Sequence, residues 1–435
     1  MMVGVPGSTA TLIAPARRCA YTVLRRVFEQ GAYAEKALQS ESRELDARDR
    51  ALAMRLLYGA VQRSRTLDHL IEALTDRPSA RLDPSVLAAL RLGLYELLYL
   101  DGSPDYAVVG DAVELAKLAG RGHGLVNAAL RRAAREGPRT LLDTLAEETP
   151  EQAAIKHSHP DWIARLWWET LGAEQARALM AYDNEPGEVA VRANTLLNDA
   201  GALAAELGVR THTDPAIPEA LVLEEPFDAH GSPLWRAGAF IAQSRAAMLV
   251  ARALDPQGGE RVLDLCAAPG GKSTHLAALM GGSGEVVAVE RNPRRAAALS
   301  RTAQRMHAQN IRIELADASV GRAEEPKFDR VLVDPPCSGL GTLQARADLR
   351  WRVTPESVAE MTAIQAKILA AGADALGPGG VLVYSTCTIS PTENERLIDA
   401  FIDSHPDFEP DGGWLQTLPH RDHTAGFFIA RLRRS

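Results

Sequence analysis

From Pro15 to about Ala134, apolar residues recur every three or four positions, the pattern of helices that each bury one face. Cys19 or Ala20, Val23 or Leu24, and Val27 or Phe28 form one stripe; Leu52, Leu56, Leu57, Ala60 and Val61 form a second, and Leu67 to Leu74 a third. Pro15 suits the first turn of the opening helix, and Pro84 opens a strongly apolar one, Val86 to Leu100, that ends at Asp101-Gly-Ser-Pro104. Further helices are predicted from about Ala107 to Leu118 and from Leu125 to Arg135. Short connections make this a helical bundle over residues 15–138, preceded by a tail over 1–14.

Gly137-Pro138 and Thr149-Pro150 mark a linker, 139–155, after which the pattern changes. Residues 156–255 mix helical stretches (Trp162 to Leu171, Ala173 to Tyr182, Asp199 to Leu207) with strands at Val189 to Asn194 and Leu221 to Leu223. Gly238 to Ser244 then leads into a helix through Ala253, so a small α+β lobe is expected here. Over 256–435, strands and helices alternate. Strands are predicted at Arg261 to Leu265, Glu285 to Glu290, Ile311 to Leu315, Phe328 to Val333, Gly380 to Ser385 and Gly426 to Leu432, and helices at Lys272 to Met280, Arg294 to His307, Ser357 to Leu376 and Glu393 to His405. Repeating βα units give an α/β, doubly wound, Rossmann-like domain with a parallel sheet, whose ligands sit at the carboxyl ends of the strands.

The length of 435 residues agrees with several domains. No apolar run reaches the roughly 18 residues of a membrane span. The first residues lack the basic start of a signal peptide, so the cytoplasm is expected. The four cysteines, Cys19, Cys266, Cys337 and Cys387, are scattered without C-x-x-C spacing, and His420 and His423 have no cysteine nearby, so neither a disulfide framework nor a metal site is expected. The net charge of −8 argues against nucleic acid until it is divided. Residues 1–150 hold 20 Lys and Arg against 19 Asp and Glu, while the rest holds 28 against 37. Within the first part, Arg17, Arg18, Arg25 and Arg26 cluster on one predicted helix, and Arg131, Arg132, Arg135 and Arg139 form a second group. Such clusters can bind phosphates whatever the global sign, or simply form solvated helix faces.

Candidate chemistry begins at Val262-Leu-Asp-Leu-Cys-Ala-Ala-Pro-Gly-Gly-Lys272, a strand that stops at a glycine turn and opens into a helix. Such a turn lets backbone approach a ligand. It lacks the first glycine of a phosphate-binding P-loop, where Cys266 stands, and it does not supply the G-x-G-x-x-G of a dinucleotide site. Glu290, Asp317 and Asp334 fall at three successive strand ends. Glu290 suits ribose hydroxyls, and Asp317 suits an adenine edge. Together they describe a pocket for a nucleoside cofactor without phosphates, which fits S-adenosylmethionine. The pocket then comprises Cys266, Ala267, Ala268, Pro269, Gly270, Gly271, Lys272, Glu290, Asp317 and Asp334. Asp334-Pro-Pro-Cys337 forms a rigid corner, and Cys387 closes a later strand, so both thiols can face one cleft. Two thiols beside a methyl donor suggest activation of a pyrimidine, one thiolate adding at carbon-6 and the other helping release. Cys266 is expected to contribute backbone, and Cys19 to be core.

Several segments resemble known families. Arg91-Leu-Gly-Leu-Tyr-Glu-Leu-Leu-Tyr-Leu100 and Gly124-Leu-Val-Asn-Ala-Ala-Leu-Arg131 resemble helices of the NusB-like RNA-binding domain. Asn184-Glu-Pro186, Val191-Arg-Ala-Asn194 and Gln243-Ser244 resemble the RNA-positioning lobe of RNA cytosine methyltransferases. Asp264 to Lys272, Asp334-Pro-Pro-Cys-Ser-Gly-Leu-Gly341 and Tyr384-Ser-Thr-Cys-Thr-Ile-Ser-Pro-Thr-Glu-Asn-Glu395 resemble the signature blocks of RNA cytosine carbon-5 methyltransferases. End to end the chain resembles the Sun/RsmB-type family of bacterial 16S ribosomal RNA methyltransferases. The resemblance implies Cys387 as nucleophile, Cys337 as the release cysteine, Asp334 facing the cytosine with Lys272 in support, S-adenosylmethionine as cofactor and 16S ribosomal RNA as partner. Leu340 and Ala425 depart from residues frequent in the family, which bears on the shape of the RNA cleft. A cytosine in another RNA, or a NusB-like RNA-binding or antitermination factor with a vestigial enzyme domain, is the alternative. Nothing requires a dimer, and a monomer is expected.

Overall fold

The computed structural model describes residues 13–321 and 327–435, so most of the tail expected over 1–14 lies outside the described residues. The chain forms two compact units, one comprising residues 1–185 with Arg346–Arg352 and the other Pro186–Ala345 with Val353–Ser435.

The first unit is helical. Its bundle helices span Pro15–Gln30, Ala34–Glu41, Ala47–Gln62, Ser64–Thr75, Pro84–Tyr99, Asp105–Leu118 and His123–Glu136. Asp46 and Asp83 cap two of them, each carboxylate accepting a first-turn N–H. Pro84–Tyr99 is buried on nearly every face, as its unbroken apolar run requires, and Leu24, Leu57, Ile71, Leu90 and Leu130 pack into the same core. Where a linker is expected, two short helices form, Pro138–Asp143 and Pro150–Lys156, followed by Asp161–Leu171 and Ala173–Tyr182. Thr149 and Gln152 make the capping box that starts the second of these. The prolines that read as linker punctuation are therefore helix starts.

A short stretch from far along the chain completes this unit. Ala347 is buried in the helical core, and Trp351 Nε1 donates to the carbonyl of Val61 at 2.7 Å. The fully buried guanidinium of Arg350 donates to the carbonyls of Ser158 (3.0 Å) and Asp183 (3.1 Å) and to Asn184 Oδ1 (2.9 Å).

The second unit holds two sheets. A four-stranded antiparallel sheet consists of β1 (Ala190–Ala193), β2 (Thr211–Asp214), β3 (Ile217–Leu223) and β4 (Phe240–Ala242) in the order β2-β3-β1-β4. The larger sheet contains β5 (Arg261–Asp264), β6 (Glu285–Val289), β7 (Ile311–Glu314), β8 (Phe328–Val333), β9 (Leu376–Thr386), β10 (Phe408–Pro410), β11 (Leu415–Gln416) and β12 (Phe428–Arg434). Its order is β10-β12-β9-β8-β5-β6-β7, with β11 also pairing β12. Strands β5 to β9 are mutually parallel, as expected, and β5 is the point where the order reverses.

The wholly parallel sheet is a misreading at one edge, because β12 runs antiparallel to β9, and β10 and β11 run antiparallel to β12. Only short strands, turns and the four-residue helix Pro419–Asp422 separate β10 from β12, without the long crossover a parallel return needs. Helices Gly271–Leu279, Pro293–Arg305, Pro355–Ala375 and Glu395–Ser404 follow β5, β6, β8 and β9.

Candidate active site

The parallel strands end side by side, and every sequence-predicted catalytic and cofactor residue follows one of their carboxyl ends. After β5 the chain turns through Cys266 to Gly271. Gly270 adopts φ +107°, a conformation open to glycine, and a Cβ there would lie 2.8 Å from Leu299. Gly271 opens the helix, and a Cβ on it would meet nothing within 4 Å, so this face of the turn is accessible. Ala267 and Ala268 are buried, and burial pushes the Cys266 thiol well up, keeping it protonated. Glu290 is buried just after β6 and accepts the Asn292 N–H at 2.8 Å, with Arg295 3.4 Å away. Asp317, beyond β7, is exposed and closes its own turn through Ser319 N (2.9 Å) and Oγ (2.7 Å), bonds that lower its pKa. It makes no direct bond to the other predicted residues.

The chemistry concentrates at the ends of β5, β8 and β9. Lys272 Nζ donates to Asp334 Oδ2 at 2.6 Å, and Ser385 Oγ donates to Asp334 Oδ1 at 2.8 Å. Burial opposes the lysine charge, but the Asp334 carboxylate outweighs it, with help from the nearby Cys387, so the Lys272 pKa rises and the ammonium persists. It also lies 5.1 Å from the centre of the Phe427 ring. Within the same pocket, Cys337 Sγ and Cys387 Sγ are 3.3 Å apart. The hydrogen bond with Cys387 and then burial raise the Cys337 pKa well above that of an ordinary thiol. Either sulfur can be the donor in this contact.

Glu393 and Asn394 lie in the block Tyr384 to Glu395, but nothing in the sequence assigns them the role of holding this pair. Glu393 accepts from Ser338 N (2.8 Å), from the Ser338 hydroxyl and from Gln365 Nε2 (3.0 Å). Asn394 Oδ1 accepts from Thr386 Oγ1 (2.6 Å), and its Nδ2 donates to the Thr388 carbonyl (3.1 Å). The block and the helix expected from Glu393 were the available signs; neither shows which residues the two side chains hold. Leu340, expected to shape an RNA cleft, is fully buried. The lobe residues also point inward. Arg192 Nη1 donates to the Gly271 carbonyl and to Gln243 Oε1, both at 2.6 Å, its Nη2 donates to Thr274 Oγ1 at 2.9 Å, and Asn194 Nδ2 donates to the carbonyls of Gly238 and Met306 at 2.9 Å. Cys19 is buried in the helical unit with its thiol pushed up to about 11 by burial. Among the described residues no group of three His, Cys, Asp or Glu side chains is arranged to hold a metal, and no helix is long and apolar enough to cross a membrane.

Comparison with known proteins fits this geometry. Residues 251–433 match the family described as 16S rRNA methyltransferase RsmB/F, residues 14–135 match the NusB family, and residues 159–230 match the RsmF/B-like ferredoxin-like domain. A probable ribosomal RNA small subunit methyltransferase B from Synechocystis is 38% identical over 97% of this chain and 99% of its own. The chain belongs to the RsmB/F family of 16S ribosomal RNA methyltransferases. A second member of this family, from Bacillus subtilis and bearing the same description, is 36% identical over 96% of this chain and 98% of its own. A solved structure of a methyltransferase homologue from Pyrococcus horikoshii superposes with a TM-score of 0.60 at 27% identity, covering 67% of this chain and all of that one. Family membership agrees with the layout just described, a methyltransferase sheet with a glycine turn at its switch point.

Proposed function

We propose that this chain transfers a methyl group from S-adenosylmethionine to carbon-5 of a cytosine in 16S ribosomal RNA through a covalent bond between Cys387 and the base. The observation that carries the reading is the pair of thiols 3.3 Å apart, beside a lysine–aspartate pair at the ends of parallel strands. The residues suit the cofactor: an open glycine turn at a helix start, a buried Glu290 for ribose hydroxyls and Asp317 for the adenine edge. Bound S-adenosylmethionine supplies an electrophilic methyl group.

The chain's own residues supply the rest. Cys387, as thiolate, forms a sulfur–carbon bond at carbon-6, and the electrons of the ring double bond move toward nitrogen-3. Asp334 would face that nitrogen, and the Lys272 ammonium hydrogen-bonded to it would pass a proton through the carboxyl to nitrogen-3 and supply positive charge beside the added density. The carbon-5 centre so activated takes the methyl group as the carbon-4–nitrogen-3 double bond re-forms and nitrogen-3 returns its proton to the Asp334–Lys272 pair. With Cys387 bonded to carbon, Cys337 loses the hydrogen bond that raised its pKa, gives its own proton to solvent, and as thiolate serves as the base for the carbon-5 proton. Removing that proton restores the ring double bond, breaks the sulfur–carbon bond and returns the Cys387 thiolate. The helical unit contributes RNA docking; Arg131, Arg135 and Arg139 are exposed there.

Cys387→Ala is expected to abolish methylation of 16S ribosomal RNA, read by bisulfite sequencing. Cys337→Ala is expected to accumulate a protein–RNA adduct on a denaturing gel. Reversed phenotypes would assign attack to Cys337 instead, and calorimetry showing no S-adenosylmethionine binding would remove the methyltransferase reading altogether.

A further inference from the structure

Two adjacent residues touch the backbone neighbours of both cysteines. Around Cys337, Gln365 Nε2 donates to the carbonyl of Pro336 at 2.9 Å and to Glu393 Oε1 at 3.0 Å, while Glu393 takes both the N–H and the hydroxyl of Ser338. Around Cys387, Asn394 takes the hydroxyl of Thr386 and donates to the carbonyl of Thr388. In each case the residues immediately before and after the cysteine are held. A third link joins the loops directly, because the Ser338 and Thr388 hydroxyls lie 2.6 Å apart. The gripping dipeptide is itself anchored, with Tyr384 OH donating to the Glu393 carbonyl at 2.7 Å and Asn394 Nδ2 reaching Gln416 Oε1 at 3.1 Å.

We propose that Glu393 and Asn394 are the positioning pair of the two thiols, Glu393 fixing the Cys337 loop and Asn394 fixing the end of the strand that carries Cys387. The inference rests on the two-cysteine reading above and deepens it. Glu393 is fully buried and has no lysine or arginine partner among the described residues; its carboxyl oxygens accept from three neutral donors. An uncompensated carboxylate is costly to bury, and a neutral side chain would fill the same space more cheaply. A negative charge at Glu393 acts on Cys337 in the direction of a higher thiol pKa. Other groups facing the thiols among the described residues include the Asp334 carboxylate, the Lys272 ammonium near Cys387, and the Tyr384 hydroxyl, which burial keeps neutral.

Glu393→Gln removes the charge and nearly preserves the shape. In the full-length protein without RNA, iodoacetamide labelling across pH followed by peptide mass spectrometry reads each thiol separately. The Cys337 midpoint is expected to fall by about one pH unit, the effect of removing a nearby like charge. At a fixed pH below that midpoint, Cys337 labelling relative to Cys387 then rises about tenfold. Glu393→Ala, which also releases the loop, is expected to slow cross-linking of the two thiols by dibromobimane and to lower kcat with KM for RNA unchanged. Unaltered labelling midpoints and wild-type kcat in Glu393→Gln would overturn the proposal. Should that variant fail to fold, Ser338→Ala and Thr386→Val each delete one hydroxyl of the grip, and unchanged cross-linking with unchanged kcat in both would overturn it equally. These outcomes leave the nucleophile assignment intact, since that is decided by the phenotypes of Cys387→Ala and Cys337→Ala.

Discussion

Asp334 is gripped from two sides, by the Lys272 ammonium at 2.6 Å and the Ser385 hydroxyl at 2.8 Å. A hydrogen bond to a charged group is worth about 1.5–3 kcal/mol, so Ser385→Ala is expected to lower kcat by roughly tenfold or more, with KM for RNA little changed, in steady-state methylation assays. The chemistry-bearing residues Lys272, Asp334, Cys337 and Cys387 were legible because each stands in a turn-rich block where an ordinary core residue would be out of pattern. Ser385 was not. It lies in the apolar stretch Val381 to Thr386, and its meeting with Asp334 depends on the pairing of β8 with β9, which no local spacing encodes. Glu393 escaped for a related reason: its donors, at positions 338 and 365, come from distant parts of the chain.

Elements with strong periodicity were read well, and the failures share a cause. β2, Thr211-His-Thr-Asp214, has no apolar alternation because it is an edge strand paired on one side only, so nothing in its side chains announces it. The arginines of the first helix, readable either as a phosphate-binding cluster or as a solvated helix face, are largely committed to acids. Arg17 pairs with Glu96 and with Asp111 (3.1 Å), Arg25 with Glu29 (2.6 Å) and Arg26 with Glu41 (3.7 Å). The turn after Ala173–Tyr182 carries a sharper consequence. Asp183 is fully buried with no hydrogen-bond partner for its carboxylate oxygens, and burial raises its pKa to about 7. Nearby, His159 Nδ1 faces the His157 carbonyl at 2.9 Å, which leaves Nε2 as the acceptor 3.4 Å from Asp183. A protonated Asp183 suits that neighbour. Because the folded pKa lies above the unfolded one of about 3.9, the folded state binds the extra proton, and stability is lost as pH rises from about 4 through 7. Asp183→Asn is expected to flatten that decline, measured as urea midpoints at pH 5, 6, 7 and 8.

The whole chain sorts into two units, but not at a single boundary, since Arg346–Arg352 belongs with the helices. The blocks on either side of it were readable as methyltransferase signatures, and nothing in Ala347 or Trp351 as sequence marks them as belonging to a helical core. Trp351→Ala removes the bond to the Val61 carbonyl and part of that packing, at a cost of about 2–4 kcal/mol. Faster amide exchange is expected in Ala47–Gln62 and Pro84–Tyr99, with exchange in β5 to β9 unchanged. The same insertion governs the order in which the protein can be finished as it is made. Residues 1–185 leave the ribosome first, yet their core lacks Ala347 and Trp351 until the chain has grown past Arg352. At about 5–20 residues per second, the interval is roughly ten to thirty seconds. The unit that begins translation first is completed only after the Cys337 loop has been synthesised, so a truncated product ending before Arg346 would carry a helical unit with an unfilled core, a natural target for quality-control proteolysis.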